Sequence, residues 1–376
     1  MGDIFRQADP VLLALCCAAT GYGLLMITSA TRFLDTYRHV IVQGAAAVIG
    51  IALYFLASMV DVTELVKKWK WIFLFNIGFI LLLKTPLGEE VNGNLAWLDI
   101  PLLPVNIQPA EFVKLTFIIL LAYQLVWLQD NRDLKSTRSI LMLGAHLAAV
   151  AGLYCVVSSD MGSTLVYAFA FAAMAFAAGT AIRWFVIALT GGGIAFYLLW
   201  ELDKIPEYMK DRFRVVADHS YRPLNEGWHQ TRSLLALGGG KVTGQGLFNG
   251  TQTQSEFSGS LPYRHTDFIF SVIGEELGML GCLLALALLA AIVIRCLMTA
   301  SLAKSRMEAY ICVGMAATLI FQTVSNVGMC LFIMPVIGLT LPFFSYGGSS
   351  ILTLFLAMGI VSGIRSRTLP EWLRKT

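Results

Sequence analysis

About ten times along this chain an apolar, almost uncharged stretch of close to 20 residues recurs, and that repetition sets the fold class. Bilayer hydrocarbon is ~30 Å thick, so a crossing helix needs about 20 apolar residues, and a helix satisfies its own backbone groups where no water can. The stretches lie near 10–30, 39–59, 71–84, 109–127, 139–157, 163–180, 184–200, 268–298, 309–331 and 343–364. Hydrophobic residues make up 57% of the chain and charged residues 14%, against about a quarter charged in soluble domains. The expectation is an all-α integral membrane protein: a polytopic bundle of about ten transmembrane helices forming a single domain over residues 1–376. The first stretch is too long for a signal-peptide core and lacks an Ala-x-Ala exit, so it is expected to persist as a helix. The start, Met1-Gly2-Asp3-Ile4-Phe5-Arg6, has no Ser or Thr where a myristoylation signal places one.

The net charge of +3 is small, and its placement says more than its size. One set of connections carries Lys67, Lys68 and Lys70, then Arg132, Lys135 and Arg138, then Arg183, then Lys304 and Arg306, with Arg365, Arg367, Arg374 and Lys375 in the tail. The opposite short connections hold Arg32, Arg38 and Lys84. The positive-inside rule then places both termini in the cytoplasm and a large loop, 201–266, outside. The eight basic residues of that loop do not oppose this, because long loops translocate regardless of charge. Within it, 207–216 mixes charges with Tyr208, Met209 and Phe213, as a helix on a membrane surface does. Residues 228–237 form another short helical candidate. Gly238–240, Gly244, Gly246 and Gly250 then argue against regular structure. A second outer loop, 85–108, carries Asn92, Asn94, Trp97 and Asp99.

The seven cysteines fall almost entirely in apolar stretches without CxxC spacing, which excludes a zinc ribbon and a disulfide framework. Gly239-Gly240-Lys241 is no P-loop, since Val242 stands where Ser or Thr is required. The densest polar cluster is Arg264-His265-Thr266-Asp267, which runs straight into an apolar stretch that carries Glu275 and Glu276. Asp267 there suits a helix cap, since an anion is favoured at a helix start. It equally suits an acid at a lipid–water boundary. Glu111 and Lys114, three apart, share a helix face and can neutralise one another, as a structural pair or as a cavity lining. Asp160 has Ser158, Ser159 and Thr164 near enough to hold it in a turn. Asn76, His146 and Asn326 read as interhelical hydrogen-bonding groups. The broken segment 334–350, with two prolines and three glycines, reads as re-entrant and lining a cavity.

Five stretches resemble the SEDS family of bacterial rod-shape, cell-division and sporulation proteins. They are HTDFIFSVIGEELGMLG from His265, MPVIGLTLPFFSYGGSS from Met334, NG-x-x-x-WL from Asn92, QPAEFVK from Gln108 and SSDMGSTL from Ser158. The resemblance implies a peptidoglycan glycosyltransferase of ten membrane helices in the bacterial cytoplasmic membrane, polymerising lipid II for elongation, division or sporulation. It implies a class B penicillin-binding protein as transpeptidase partner, contact with membrane lipid and no nucleic acid. Asp267 matches the family's essential acid, and Trp97, Glu111, Lys114 and Asp160 match other function-linked positions. Under that reading Asp267 is the general base for the acceptor 4-hydroxyl. Arg232, Lys241, Arg264 and His265 are the candidate substrate-binding residues, and Arg232, Lys241, Arg264 or a divalent cation (Mg or Mn) would hold the leaving pyrophosphate. The rivals are a lipid II flippase and a catalytically silent scaffold for the transpeptidase. Four departures stand out: Ala96 where the family has Arg, Tyr263 for Glu after Leu-Pro, and His229 and Arg232 for glutamines.

Overall fold

A computed structural model describes residues 8–368 except 35, 92, 102–105, 223, 226 and 258. Asn92, Arg374, Lys375 and residues 1–6, named above, lie outside the described residues. Every expected apolar stretch is a helix. In order these are α1 (Pro10–Thr31), α2 (Arg38–Met59), α3 (Trp69–Leu81), α4 (Pro109–Asn131), α5 (Thr137–Ser158), α6 (Met161–Ala177) and α7 (Ile182–Glu201). After the loop helices α8 (Glu207–Ala217) and α9 (Trp228–Gly240) come α10 (Ile269–Leu302), α11 (Arg306–Cys330) and α12 (Gly348–Thr368). Among the described residues eight helices are long and apolar enough to cross a bilayer. The two others of the expected ten, α3 and α6, have 13 and 17 residues. This is a multi-pass membrane protein.

The most buried spans are α4, α11 and α12, and the periphery includes α7, none of whose residues is buried. α2 and α12 pack closely because Gly359 and Gly363, one turn apart, lie against the backbone of Tyr54 and Ser58. A Cβ on Gly359 would come within 2.5 Å of the Tyr54 carbonyl. Small residues at this spacing let membrane helices approach where hydrocarbon itself drives no association. The expected polar links between helices are present. Thr116 Oγ1 donates to Asn76 Oδ1 at 2.5 Å, and His146 Nδ1 lies 2.8 Å from Gln124 Oε1.

Two features differ from the sequence expectation. Residues 85–108 hold an antiparallel hairpin, β1 (Gly88–Val91) and β2 (Asn94–Leu98), with Gly93 at φ +80 in the turn. Asn-Gly between β-prone segments is a hairpin signal, here obscured by the surrounding prolines and glycines. Gly238–Gly240, expected to break structure, instead completes α9. Gly240 packs against the backbone of Gly274 on α10, so glycine serves close approach there.

The same crossing explains how α10 tolerates a break. Gly278 has φ 67 and ψ −164, a conformation open to glycine alone, and it interrupts the helical hydrogen-bond ladder. Residues 241–246 repair it: Met279 N and Leu280 N donate to the carbonyls of Lys241 and Val242 at 2.9 and 3.2 Å. Gln245 N and Gly246 N donate to the carbonyls of Glu275 and Glu276, both at 2.9 Å. The two acids also work through their side chains. Glu275 accepts from Gln252 N, Thr253 N and Thr253 Oγ1 at 2.6–2.8 Å. Glu276 accepts from Ser29 Oγ, Gln254 Nε2 and Phe248 N. Each carboxylate is buried and fully occupied, which is the condition for leaving a charge out of water. They fasten the loop that leads to Asp267.

Candidate active site

Asp267 sits one residue before the cap of α10. The cap itself is Phe268, and no side chain caps that helix, so the capping role open to Asp267 from its position is not the one it takes. Its turn is held instead through backbone carbonyls. Asn326 Nδ2, from α11, donates to Asp267 O at 2.7 Å and to Leu339 O at 2.8 Å. Ser345 Oγ donates to Thr266 O at 2.6 Å and accepts from Leu341 N at 2.8 Å. Tyr346 N donates to His265 O at 2.8 Å. Gln43 of α2 clamps the same segment, donating to Ser345 O at 3.1 Å and accepting from Gly347 N at 3.0 Å. The broken segment between α11 and α12 is therefore a cradle for the acid turn.

The Asp267 carboxylate is half-buried, and no described residue hydrogen-bonds it. Burial, which penalises the charged form, pushes its pKa up to about 6. The Arg212 guanidinium draws it back down, and the carboxylate of Asp160 adds to the rise. A carboxylate with free lone pairs and a pKa close to neutrality is a competent general base.

The other sequence-predicted residues divide. Asp160 is on the same side of the bundle, electrostatically in reach of Asp267, and caps α6. Its partners are Ser163 N at 3.0 Å, Ser163 Oγ at 2.6 Å and Tyr154 OH at 3.1 Å, with Gln108 at 3.5 Å. Thr164 holds the turn as expected, donating from Oγ1 to the Asp160 carbonyl at 2.8 Å, while Ser163 and Tyr154 take the place at the carboxylate expected for Ser158 and Ser159. Glu111 and Lys114 form a buried ion pair at 3.0 Å, with Thr353 Oγ1 donating to Glu111 at 3.1 Å. Two cavities of about 10 Å³ flank this pair, room for a single water each. Trp97 lies on β2, opposite Glu89.

The four loop candidates differ in what their side chains have left to offer. Arg264 is 2% exposed, with its guanidinium on the carbonyls of Thr253 and Ser255 and 3.7 Å from the centre of the Phe33 ring. Arg232 stacks on Trp228 at 4.0 Å. Lys241 is exposed, but its backbone meets α10 at Met279, about 18 Å along the helix from Asp267. His265 packs against the His39 and Tyr346 rings at 5.0 and 5.8 Å, and burial holds its pKa at about 4, so it is neutral at pH 7. Two of the departures from the family pattern turn out to be one contact: His229 stacks on Tyr263 at 5.6 Å, and also on Phe268 beside the acid. Arg212, inconspicuous among the eight basic residues of its loop, is the cation whose charge reaches both Asp267 and His229. Among the described residues no three His, Cys, Asp or Glu side chains gather as a metal site.

The comparisons with known proteins agree with this architecture. The family model for FtsW, RodA and SpoVE, described as cell cycle protein, matches residues 10–369. A probable peptidoglycan glycosyltransferase FtsW of Allochromatium vinosum is 32% identical, over 95% of this chain and 90% of its own length. One of Geobacter sulfurreducens is 31% identical over 96% of each. A chain from a structure on the coordination of polymerization and crosslinking by a peptidoglycan synthase complex superposes with a TM-score of 0.79. It is 26% identical and covers 96% of this chain and 98% of that one. The rod shape determining protein RodA of Thermus thermophilus gives 0.68, at 26% identity and over 96% and 98% of the two chains. With the family match running from the start of α1 past the end of α12, this chain belongs to the FtsW/RodA/SpoVE family.

Proposed function

We propose that the chain is a peptidoglycan glycosyltransferase that polymerises lipid II at the outer face of the cytoplasmic membrane, with Asp267 as general base. One observation carries the reading. A carboxylate at the start of a membrane helix has the backbone of its turn held by the side chains of Asn326 and Ser345 and by the chain segment before α12, yet its carboxylate oxygens are unengaged. In the reaction Asp267 takes the proton from the acceptor 4-hydroxyl as that oxygen bonds to the donor's anomeric carbon. The bond to the pyrophosphate breaks, and undecaprenyl pyrophosphate departs with the electron pair. One base suffices, because direct displacement inverts the α-linked donor in a single step. The cavities beside Glu111 have room for a water and not for a sugar, so in this reading the disaccharides bind on the outer surface beside Asp267.

The partner in this reading is a class B penicillin-binding protein. The support is the similar chain in a complex that coordinates polymerization with crosslinking. The termini are cytoplasmic, on the positive-inside count. The test is the Asp267→Asn variant of the full chain, purified with its transpeptidase and supplied with lipid II. Polymer should fall by about 100-fold or more, with the melting temperature and complex formation unchanged. Wild-type-like polymer from this variant would refute the assignment.

A further inference from the structure

α8 carries three cations, and their partners single one out. Lys210 is paired with Asp203, and Arg214 with Glu207 and Asp211 at 2.8 and 2.9 Å. Arg212, exposed between them, has no carboxylate partner among the described residues. Its one hydrogen bond, Nη1 to Val336 O at 3.0 Å, sets it on the segment that cradles Asp267. A second contact fixes α8 in the same place, since His219 just beyond its end stacks on Phe332 at 4.1 Å. A guanidinium has five N–H donors in a planar fork suited to phosphate oxygens, and most of this fork is open. The other cations considered for the leaving group are less available: Arg264 is buried under carbonyls, Arg232 lies flat on the Trp228 indole at 4.0 Å where Arg212 is only loosely over Tyr208 at 5.8 Å, and Lys241 meets α10 about 18 Å from Asp267.

We propose that Arg212 is the residue that binds the donor's diphosphate, placing the leaving group beside Asp267 and neutralising the charge that develops on it. The inference rests on the glycosyltransferase reading. Arg212 also draws the carboxyl of Asp267 downward, so the loss of its charge has a signature that a purely structural residue would not produce.

The experiment compares wild type with Arg212→Ala, Arg212→Lys and Arg212→Gln, each the full chain purified with its transpeptidase, over a range of lipid II concentrations and pH. The Gln side chain keeps a donor for Val336 O and removes the charge. Arg212→Ala and Arg212→Gln should both lower kcat/KM on the order of 100-fold, with the acid limb of the pH profile moved upward. Arg212→Lys should recover part of the rate and return the limb toward its wild-type position. Activity near wild type in the Gln variant, or losses without movement of the limb, would overturn the proposal. Absence of polymer from the wild type would instead overturn the glycosyltransferase reading, so the two failures are distinct.

Discussion

Asp267 owes its proton affinity to opposing neighbours, and the balance predicts a pH profile. Burial and Asp160 raise its pKa, Arg212 lowers it, and the result is about 6. A base works in its deprotonated form, so kcat/KM for polymerisation should rise through pH 6 and level off above it. Each unit below that midpoint should cost about tenfold, as for loss of a single essential proton acceptor. Rates measured across pH 4.5–8 would check this, and a profile flat through pH 6 would contradict it. The residue type and the boundary position of Asp267 were legible in the sequence. What was not legible is the company it keeps. Arg212 is 55 positions upstream, and a basic residue in a loop with eight of them carries no local mark. Arg264 is the complementary case: adjacency to Asp267 suggests a shared site, while its guanidinium turns into the loop onto the carbonyls of Thr253 and Ser255.

At the level of elements, the periodic and the paired features were readable, and the close approaches were not. The spacing of Glu111 and Lys114 already implied an ion pair on one face of α4, and the pair forms at 3.0 Å, buried. Removing one member strands the other charge away from water. Glu111→Gln or Lys114→Met should therefore each destabilise by about 3–5 kcal/mol. The exchange Glu111→Lys with Lys114→Glu retains a neutral pair and should lose less than either single change. Thermal unfolding in detergent measures all three, and an exchange that loses as much as the two single changes together would show that the two charges act independently. The glycines at α9 are the opposite case. A run of three reads as a breaker in one dimension, and only the crossing of α9 over α10 reveals why a side chain is excluded at Gly240. Likewise Gly278 looks unremarkable within an apolar stretch, because the strand of loop that mends its helix comes from 241–246.

On the scale of the molecule, α10 measures the separation between two chemistries. Asp267 precedes its first turn, while Arg295 lies 28 residues on, about 40 Å along the axis. There Arg295 grips Asp9 at 2.7 and 2.9 Å, with Arg365 at 3.6 Å, and Tyr54 OH donates to the Asp9 carbonyl at 2.7 Å. Both ends of the described chain thus meet at the face opposite the acid, as an even number of crossings requires. Read with the positive-inside rule, this predicts that a cysteine at position 304 is labelled by an impermeant maleimide only after cells are opened. One at position 224 should be labelled in intact spheroplasts. The reverse pattern would invert the topology and leave Asp267 facing the cytosol. The helical spans could be taken from hydropathy, but the joining of the termini at one ion cluster depends on partners almost 300 residues apart.

The way the acid turn is held has an evolutionary corollary. Its fixings are peptide carbonyls at His265, Thr266 and Asp267, which any amino acid would supply. Selection can therefore exchange the side chain at 267 without disturbing the scaffold around it. Under the proposed role of Asp267, a single codon change would separate an active polymerase from a folded, inert descendant, and loss of chemistry need not be accompanied by loss of the protein.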